Sequence, residues 1–354
     1  MAFLHHLNAS RFSIQAQTEA AVCMKNLSNW TPGVAEIRTW PEYTPQPLRT
    51  LPASRKNWEQ EFGPHQPSCV LLDRDITKRV TVCVATDGNQ GRGLAYGVQV
   101  FGCRCVVYIH RHVSEGRVDR IKDCAVVIRV DREYEASVSR AKEDASMNDW
   151  FFVSSTSWSD FDNDIPQHVM VAYMVVVEEA FSAIPVLDSI THVFVCGGVG
   201  SIAAAIFQGF YTRLHDNHSS EMPRFIVVEP SEVDCLLQSA MAGETRKSQG
   251  SLRTLMAGLA CRAPLPAAWK VLHWLASGFV AVPDTIAVAS MKTLASGCEG
   301  DISVVSGESS AANMCVLLRA STDSTVRNKL GLDANSQVLL FVLEGATDSR
   351  YSSR

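Results

Sequence analysis

The chain has 354 residues, of which 46% are hydrophobic and 19% charged, and its net charge is −5. That length supplies ample core for one large or two ordinary domains, and the balance excludes a disordered chain. The mild negative charge, with no basic stripe carrying aromatics, excludes nucleic acid as the expected partner.

Residues 1–70 carry seven prolines and few periodic runs. Val80–Ala85 is β-branched and apolar and reads as a strand; Thr86–Gly93 turns from it into a helical run, Leu94–Phe101. Cys105–Ile109 is the next strand, Ser114–Asp123 a helix, Ala125–Val130 a strand and Glu133–Ala145 a helix. Phe151–Ser154 reads as a short strand before a long helix, Pro166–Ile184. The strand Val193–Cys196 then feeds a glycine turn and a helix to about His215, followed by the strand Phe225–Glu229. Late in the chain, Thr285–Leu294 and Ser310–Ala320 read as helices, and Ser303–Ser306 and Val338–Leu343 as strands. Strands alternating with helices predict a mostly parallel sheet covered on both faces.

Eleven cysteines, odd in number and without a CxxC pair, point to free thiols in a reducing compartment. Cys103 and Cys105 share one face of a strand start, and with no second pair at metal spacing they read as buried thiols. No metal site is expected. No secretory leader pattern opens the sequence, and the longest apolar stretch, Val169–Leu187, is interrupted by Glu178, Glu179 and Pro185. It reads as a buried helix, so a cytoplasmic chain with no membrane partner is expected.

The most informative segment is Cys196-Gly-Gly-Val-Gly-Ser201, where a strand meets a helix N-terminus. Unpaired N–H groups and the helix dipole at such a turn hold an anion, and glycines let the backbone approach it. The same residues also suit a plain strand-to-helix turn. Gly198–Ala203 formally satisfies the G-x-G-x-x-G/A dinucleotide pattern, with Glu229 ending the next strand, so a nicotinamide enzyme is an open alternative. Thr86–Gly91 is a second loop at a strand's carboxyl end: Asp87 is a candidate base and Asn89 a candidate partner for a ring oxygen, or both are turn and cap residues. Ser306–Ser310 is a third, which also reads as a helix cap with Glu308 in the first turn.

Together these segments resemble the diaminopropionate ammonia-lyase family, pyridoxal-phosphate enzymes of the tryptophan-synthase-β (type II) fold. The family's TDGNHGRG motif is matched by Thr86–Gly93, its phosphate loop by Gly197–Ser201 and its IVEP strand end by Val227–Pro230. MAGLAC is matched by Met256–Cys261, SGESGA by Ser306–Ala311 and EGDTD by Glu344–Asp348, all in order from about Val80 to Asp348. Tyr43–Leu48 weakly resembles the family's YxPTPL segment. The resemblance implies two three-layer α/β/α domains, the larger built from 1–88 plus 186–354 and the smaller from 89–185. It implies pyridoxal 5′-phosphate held by the N–H groups of Gly197, Gly198, Val199, Gly200 and Ser201, with Asn89 toward the 3′-oxygen and Asp87 as base. The implied reaction removes the α-proton of 2,3-diaminopropionate or a related small amino acid and expels the β-amine. The aminoacrylate that remains hydrolyses to pyruvate and ammonia, and a homodimer is expected.

The chain also departs from the family pattern. The family's Schiff-base lysine lies in a KDESxRFGLxxFK segment before TDGNHG, and the N-terminal part is shortened here so that this segment is missing. Lys56 and Lys78 are the lysines left in that interval. Gln90 replaces the motif's histidine, and Ser155 an aspartate before the TAW segment. Val342 and Leu343 stand where the family has a Ser/Thr pair near the pyridine nitrogen. These losses leave open an alternative, a catalytically impaired relative that keeps the fold for binding or assembly.

Overall fold

Val82 and Val84 turn to one side of the first strand and Cys83 and Ala85 to the other, and all four are buried. A strand apolar on both faces belongs inside a sheet that helices cover from both sides. The computed structural model describes residues 78–86, 89–111, 113, 115–122, 124–132, 134–153, 173–184, 187–216, 221–296 and 303–345, and shows that arrangement twice. The first sheet contains β1 (Thr81–Ala85), β2 (Arg104–His110), β3 (Val126–Val130) and β4 (Phe151–Phe152), all parallel, in the order β3-β2-β1-β4. Helices α1 (Asn89–Phe101) and α2 (Glu115–Lys122) cover one face, where Cys105 and Cys103 share the Val82/Val84 cluster, and α3 (Tyr134–Asn148) covers the other. Under α3 the buried Tyr108 hydroxyl donates to Asp144 at 2.6 Å, and Arg140 Nε holds both oxygens of that carboxylate.

The second sheet has β5 (His192–Cys196), β6 (Arg224–Pro230), β7 (Gly278–Val282) and β8 (Val338–Leu340), again parallel, in the order β7-β6-β5-β8. Val193, Val195, Phe225 and Val227 pack under α4 (Met174–Ala183), α5 (Ser201–Asp216), α6 (Cys235–Ala242) and α7 (Pro266–Leu275). Phe194, Cys196, Ile226 and Val228 pack under α8 (Ala287–Ser296) and α9 (Ala312–Thr322), and α10 (Ser324–Leu330) follows. The chain moves outward from β5 to β7 and returns to β8 on the other flank of β5. The order therefore reverses between β5 and β8, and the crevice at the carboxyl ends of such strands is where open α/β sheets bind ligands.

Several expectations need correction. Thr81–Ala85 pairs with β2 and β4, so a boundary at residue 88 would separate the central strand from its own sheet. Met174–Ala183, expected in the small domain, packs through Val176, Val177 and Ala180 into the second sheet's core. Of the expected helix Pro166–Ile184, the part before Tyr173 lies outside the described residues. Ser303–Ser306 is irregular, while α6, α7, β7 and α10 lack a clear periodic signal in the sequence, their apolar runs being short and bounded by Pro or Gly. Cys83, Cys103, Cys105, Cys124, Cys196, Cys235, Cys261 and Cys315 are free thiols. Among the described residues no helix is long and apolar enough to cross a membrane.

His192 at the start of β5 is buried, with Nε2 3.0 Å from the Leu330 carbonyl and Nδ1 2.8 Å from Thr191 Oγ1. Burial holds the imidazole below its ordinary value of 6.5. The folded ring is therefore neutral while the unfolded one charges, so stability present above about pH 6.5 is lost as pH falls. Thermal melts of the parent from pH 7 to about 5.5 are expected to fall more steeply than those of His192→Gln.

Candidate functional site

The turn between β5 and α5 lies at the reversal point, and the need for glycine there is specific. Gly198 has φ +61° and Gly200 φ +91°, conformations that a side chain strains. A Cβ on Gly200 would lie 2.8 Å from Leu272 Cδ1, and one on Gly197 would lie 2.7 Å from Glu229 Cγ. The turn is closed by two bonds of its own: the Gly197 N–H donates to Val228 O at 2.8 Å and the Gly200 N–H to Gly197 O at 3.0 Å. Those two amides are thus committed, which narrows the expected set of anion donors. The N–H groups of Gly198, Val199 and Ser201 have no acceptor among the described residues. Neither has the buried Ser201 hydroxyl. Unpaired amides, an orphaned hydroxyl and the start of a sixteen-residue helix form a cradle that fits a phosphate group.

Glu229 does not stand where a ribose would need it. It is fully buried, and its two oxygens accept the N–H groups of Leu236 (3.0 Å) and Leu237 (2.8 Å) at the start of α6. Burial pushes the carboxyl up to about 8, against the pull of those two bonds. Its role is to tie β6 to α6 beneath Gly197, so the dinucleotide alternative loses its acid. Cys235, beside it, contacts the Gly198 carbonyl at 3.6 Å.

Three further segments converge on the same edge. Gly258 O lies 3.7 Å from the Cβ position of Gly198, and the Gly258 N–H donates to Ser309 Oγ at 3.0 Å. The Ser309 N–H donates to Glu344 Oε2 at 2.9 Å, and the Gly307 N–H to Glu344 O at 2.8 Å. The Leu343 N–H donates to Ser310 Oγ at 2.7 Å, and Asn313 Nδ2 to Phe341 O at 2.7 Å. The Met256–Cys261 and Ser306–Ser310 loops are thus fastened to the chain leaving β8. Ser306–Ser310 is more than a cap, since its residues are almost fully buried and α9 begins only at Ala312.

The remaining candidates divide clearly. Lys78 is exposed at a turn before β1, on the amino edge of the first sheet. About five strand residues, roughly 17 Å, separate it from the carboxyl edge where Thr86 lies, which removes it from the site. Every lysine among the described residues is exposed. Lys56, Asp87 and Ser155 lie outside the described residues, and Asn89 opens α1. Leu343 is half-buried with its side chain against the second sheet's core, so its contribution to a ligand is apolar. Ser309, Ser310, Gly258 and Glu344 carry no individual signal in the sequence, because hydrogen bonds across up to 51 residues of chain bring them together.

A doubly covered parallel sheet with an anion cradle at its reversal point defines an α/β protein built around a phosphorylated ligand. The model of the family described as pyridoxal-phosphate dependent enzyme matches residues 67–342, and the chain belongs to that family. Diaminopropionate ammonia-lyase of Escherichia coli K12 is 31% identical over 285 residues, covering 79% of this chain and 70% of the relative. The Salmonella typhimurium LT2 protein of the same name is 32% identical over 288 residues, covering 77% and 69%. The crystal structure of the Escherichia coli enzyme in complex with an aminoacrylate–PLP azomethine reaction intermediate superposes with TM-score 0.70 at 31% identity, over 77% of this chain and 70% of that one. Maize serine racemase, with TM-score 0.61 at 18% identity, shares the fold. The fold is that of the type II pyridoxal-phosphate enzymes, and the phosphate of that cofactor fits the cradle at Gly198–Ser201.

Gly200→Ala places a methyl group against Leu272 at a positive φ, and is expected to lower unfolding stability by about 1–3 kcal/mol in a denaturant titration. An unchanged midpoint would mean that the turn is not held in this conformation.

Proposed function

We propose that the chain is a pyridoxal-phosphate-dependent ammonia-lyase that eliminates ammonia from 2,3-diaminopropionate or a related small amino acid, giving a 2-oxo acid. The observation that carries the reading is the Ser201 hydroxyl beside the amides of Gly198, Val199 and Ser201, none of which has a partner among the described residues. These groups hold a phosphate dianion with no basic side chain. The N-terminus of α5 adds its partial positive charge.

When bound, the cofactor supplies an electron sink for the charge left at the substrate α-carbon. The chain's own residues do the rest. Asp87, next after Thr86 at the end of β1, takes the α-proton, and Asn89 holds the ring's 3′-oxygen. Leu343 covers the ring edge with apolar surface and excludes water there. Lys56 remains the candidate for covalent attachment, since Lys78 lies on the wrong edge. The substrate is a small amino acid, and we further infer a cytoplasmic homodimer, in keeping with the mild charge and the free thiols.

Incubating the full chain with pyridoxal phosphate and 2,3-diaminopropionate is expected to release ammonia and pyruvate, and no release from any small diamino or hydroxy amino acid would sink the reading. Ser201→Ala removes a hydrogen bond to a charged group and no hydrogen bond among the described residues. It is expected to weaken cofactor binding by roughly 10- to 100-fold in an absorbance titration while leaving the melting temperature unchanged. Borohydride reduction with cofactor present, followed by peptide mapping, locates the attached lysine, and a mark on Lys78 would contradict its exclusion from the site.

A further inference from the structure

Two departures from the family pattern are far apart in sequence and touch in the fold. Leu343 stands where a Ser or Thr is expected, and Ser310 stands where the SGESGA motif has glycine. A hydroxyl is missing from the chain that leaves β8 and a new one appears in the loop before α9. The two positions meet, because the Leu343 N–H donates to Ser310 Oγ at 2.7 Å. Ser310 is only 3% exposed, so this hydroxyl is enclosed by protein.

A serine oxygen accepts through two lone pairs and donates one proton. At Ser310 the Leu343 amide occupies an acceptor site and restrains the side chain's rotation. No group among the described residues receives its proton. A buried donor without an acceptor calls for one from elsewhere. Its surroundings narrow what that acceptor is. Leu343 offers the site no polar side-chain atom, and its N–H is spent on Ser310. The Glu344 carboxylate accepts from the Ser309 N–H. The Ser309 hydroxyl is held against the Gly258 N–H.

The phosphate cradle follows β5, Leu343 follows β8, and these strands are hydrogen-bonded neighbours at the reversal point. A flat heteroaromatic ring whose phosphate sat after β5 would have the chain leaving β8 beside it, because the two strands are paired. A neutral hydroxyl suits an uncharged ring nitrogen, which accepts one hydrogen bond. A carboxylate would favour the protonated ring instead.

We propose that Ser310 is a cofactor-binding residue whose hydroxyl donates to the unprotonated ring nitrogen of pyridoxal phosphate, replacing the hydroxyl absent at Leu343. The assignment rests on the cofactor reading above and adds to it the group that recognises the ring.

The test titrates the full-length chain with pyridoxal phosphate, with its ring-N-methyl derivative, which has no nitrogen lone pair, and with inorganic phosphate. The parent is expected to prefer pyridoxal phosphate over the N-methyl derivative. Ser310→Ala is expected to lose roughly five- to tenfold in affinity for pyridoxal phosphate and most of that preference, with inorganic phosphate binding unchanged. Ser310→Thr, which keeps the hydroxyl, retains the preference, and Ser310→Ala/Leu343→Thr, which returns a hydroxyl to the departing strand, regains it. A parent that binds both ring forms equally overturns the proposal without any variant, and so does a Ser310→Ala protein with the parental preference. A parent that binds neither pyridoxal phosphate nor inorganic phosphate overturns the cofactor reading itself, a result distinct from the other two.

Discussion

The site depends on a set of main-chain N–H groups that have no acceptor among the described residues, where β5 passes into α5. Helices always leave such groups at their first turn, and water normally satisfies them. Here the turn is buried under Leu236, Ala268 and Leu272; Gly197 and Gly200 are needed because neighbouring side chains occupy the space a Cβ would take, and Gly198 because its φ is positive. The amides of Gly198, Val199 and Ser201 can therefore hold an anion in place of water. The internal bonds from Gly197 and Gly200 keep the turn in shape before any ligand arrives. Such preorganisation lowers what binding must give up in ordering.

Around that turn the structure spends its polar groups on holding loops in register. Glu229 fastens α6 to β6, Ser309 and Glu344 join three loops, and Asp284 holds Thr254 Oγ1 and the Leu255 N–H at 2.6 Å each. The buried carboxylates of Glu229 and Glu344, satisfied by N–H groups, resist displacement, since freeing one would leave both partners without hydrogen bonds. The loops at the carboxyl edge of the second sheet are accordingly tied to one another. Chemistry at this edge then depends on which groups remain unspent, and among the described residues these include the loop amides and the hydroxyls of Ser201 and Ser310.

Motif spacing along the chain was enough to read the type II fold, the parallel strands and the Gly197–Ser201 turn, because each is a local pattern of apolar periodicity and glycine. Where one strand is apolar on both faces, as in Val82–Ala85, its burial follows directly. Glu229 shows the limit of such reading. Its place at a strand end suits a ribose acid, but only the fold reveals that α6 has already taken both oxygens. Lys78 is a second case, plausible by interval alone and excluded by the edge of the sheet on which it lies.

What the sequence by itself determined is therefore the class: alternating strands and helices, a glycine-rich anion turn, free thiols and a cofactor family recognisable from ordered motifs. The tertiary structure alone decided which of the candidate groups are still available to a ligand. It committed Gly197 and Gly200 to the turn, Glu229 to a helix start and Glu344 to a loop, and it brought Ser310 against Leu343. The physical reason is that hydrogen-bond capacity is finite and is consumed by contacts between residues far apart in the chain, so no local pattern records what remains.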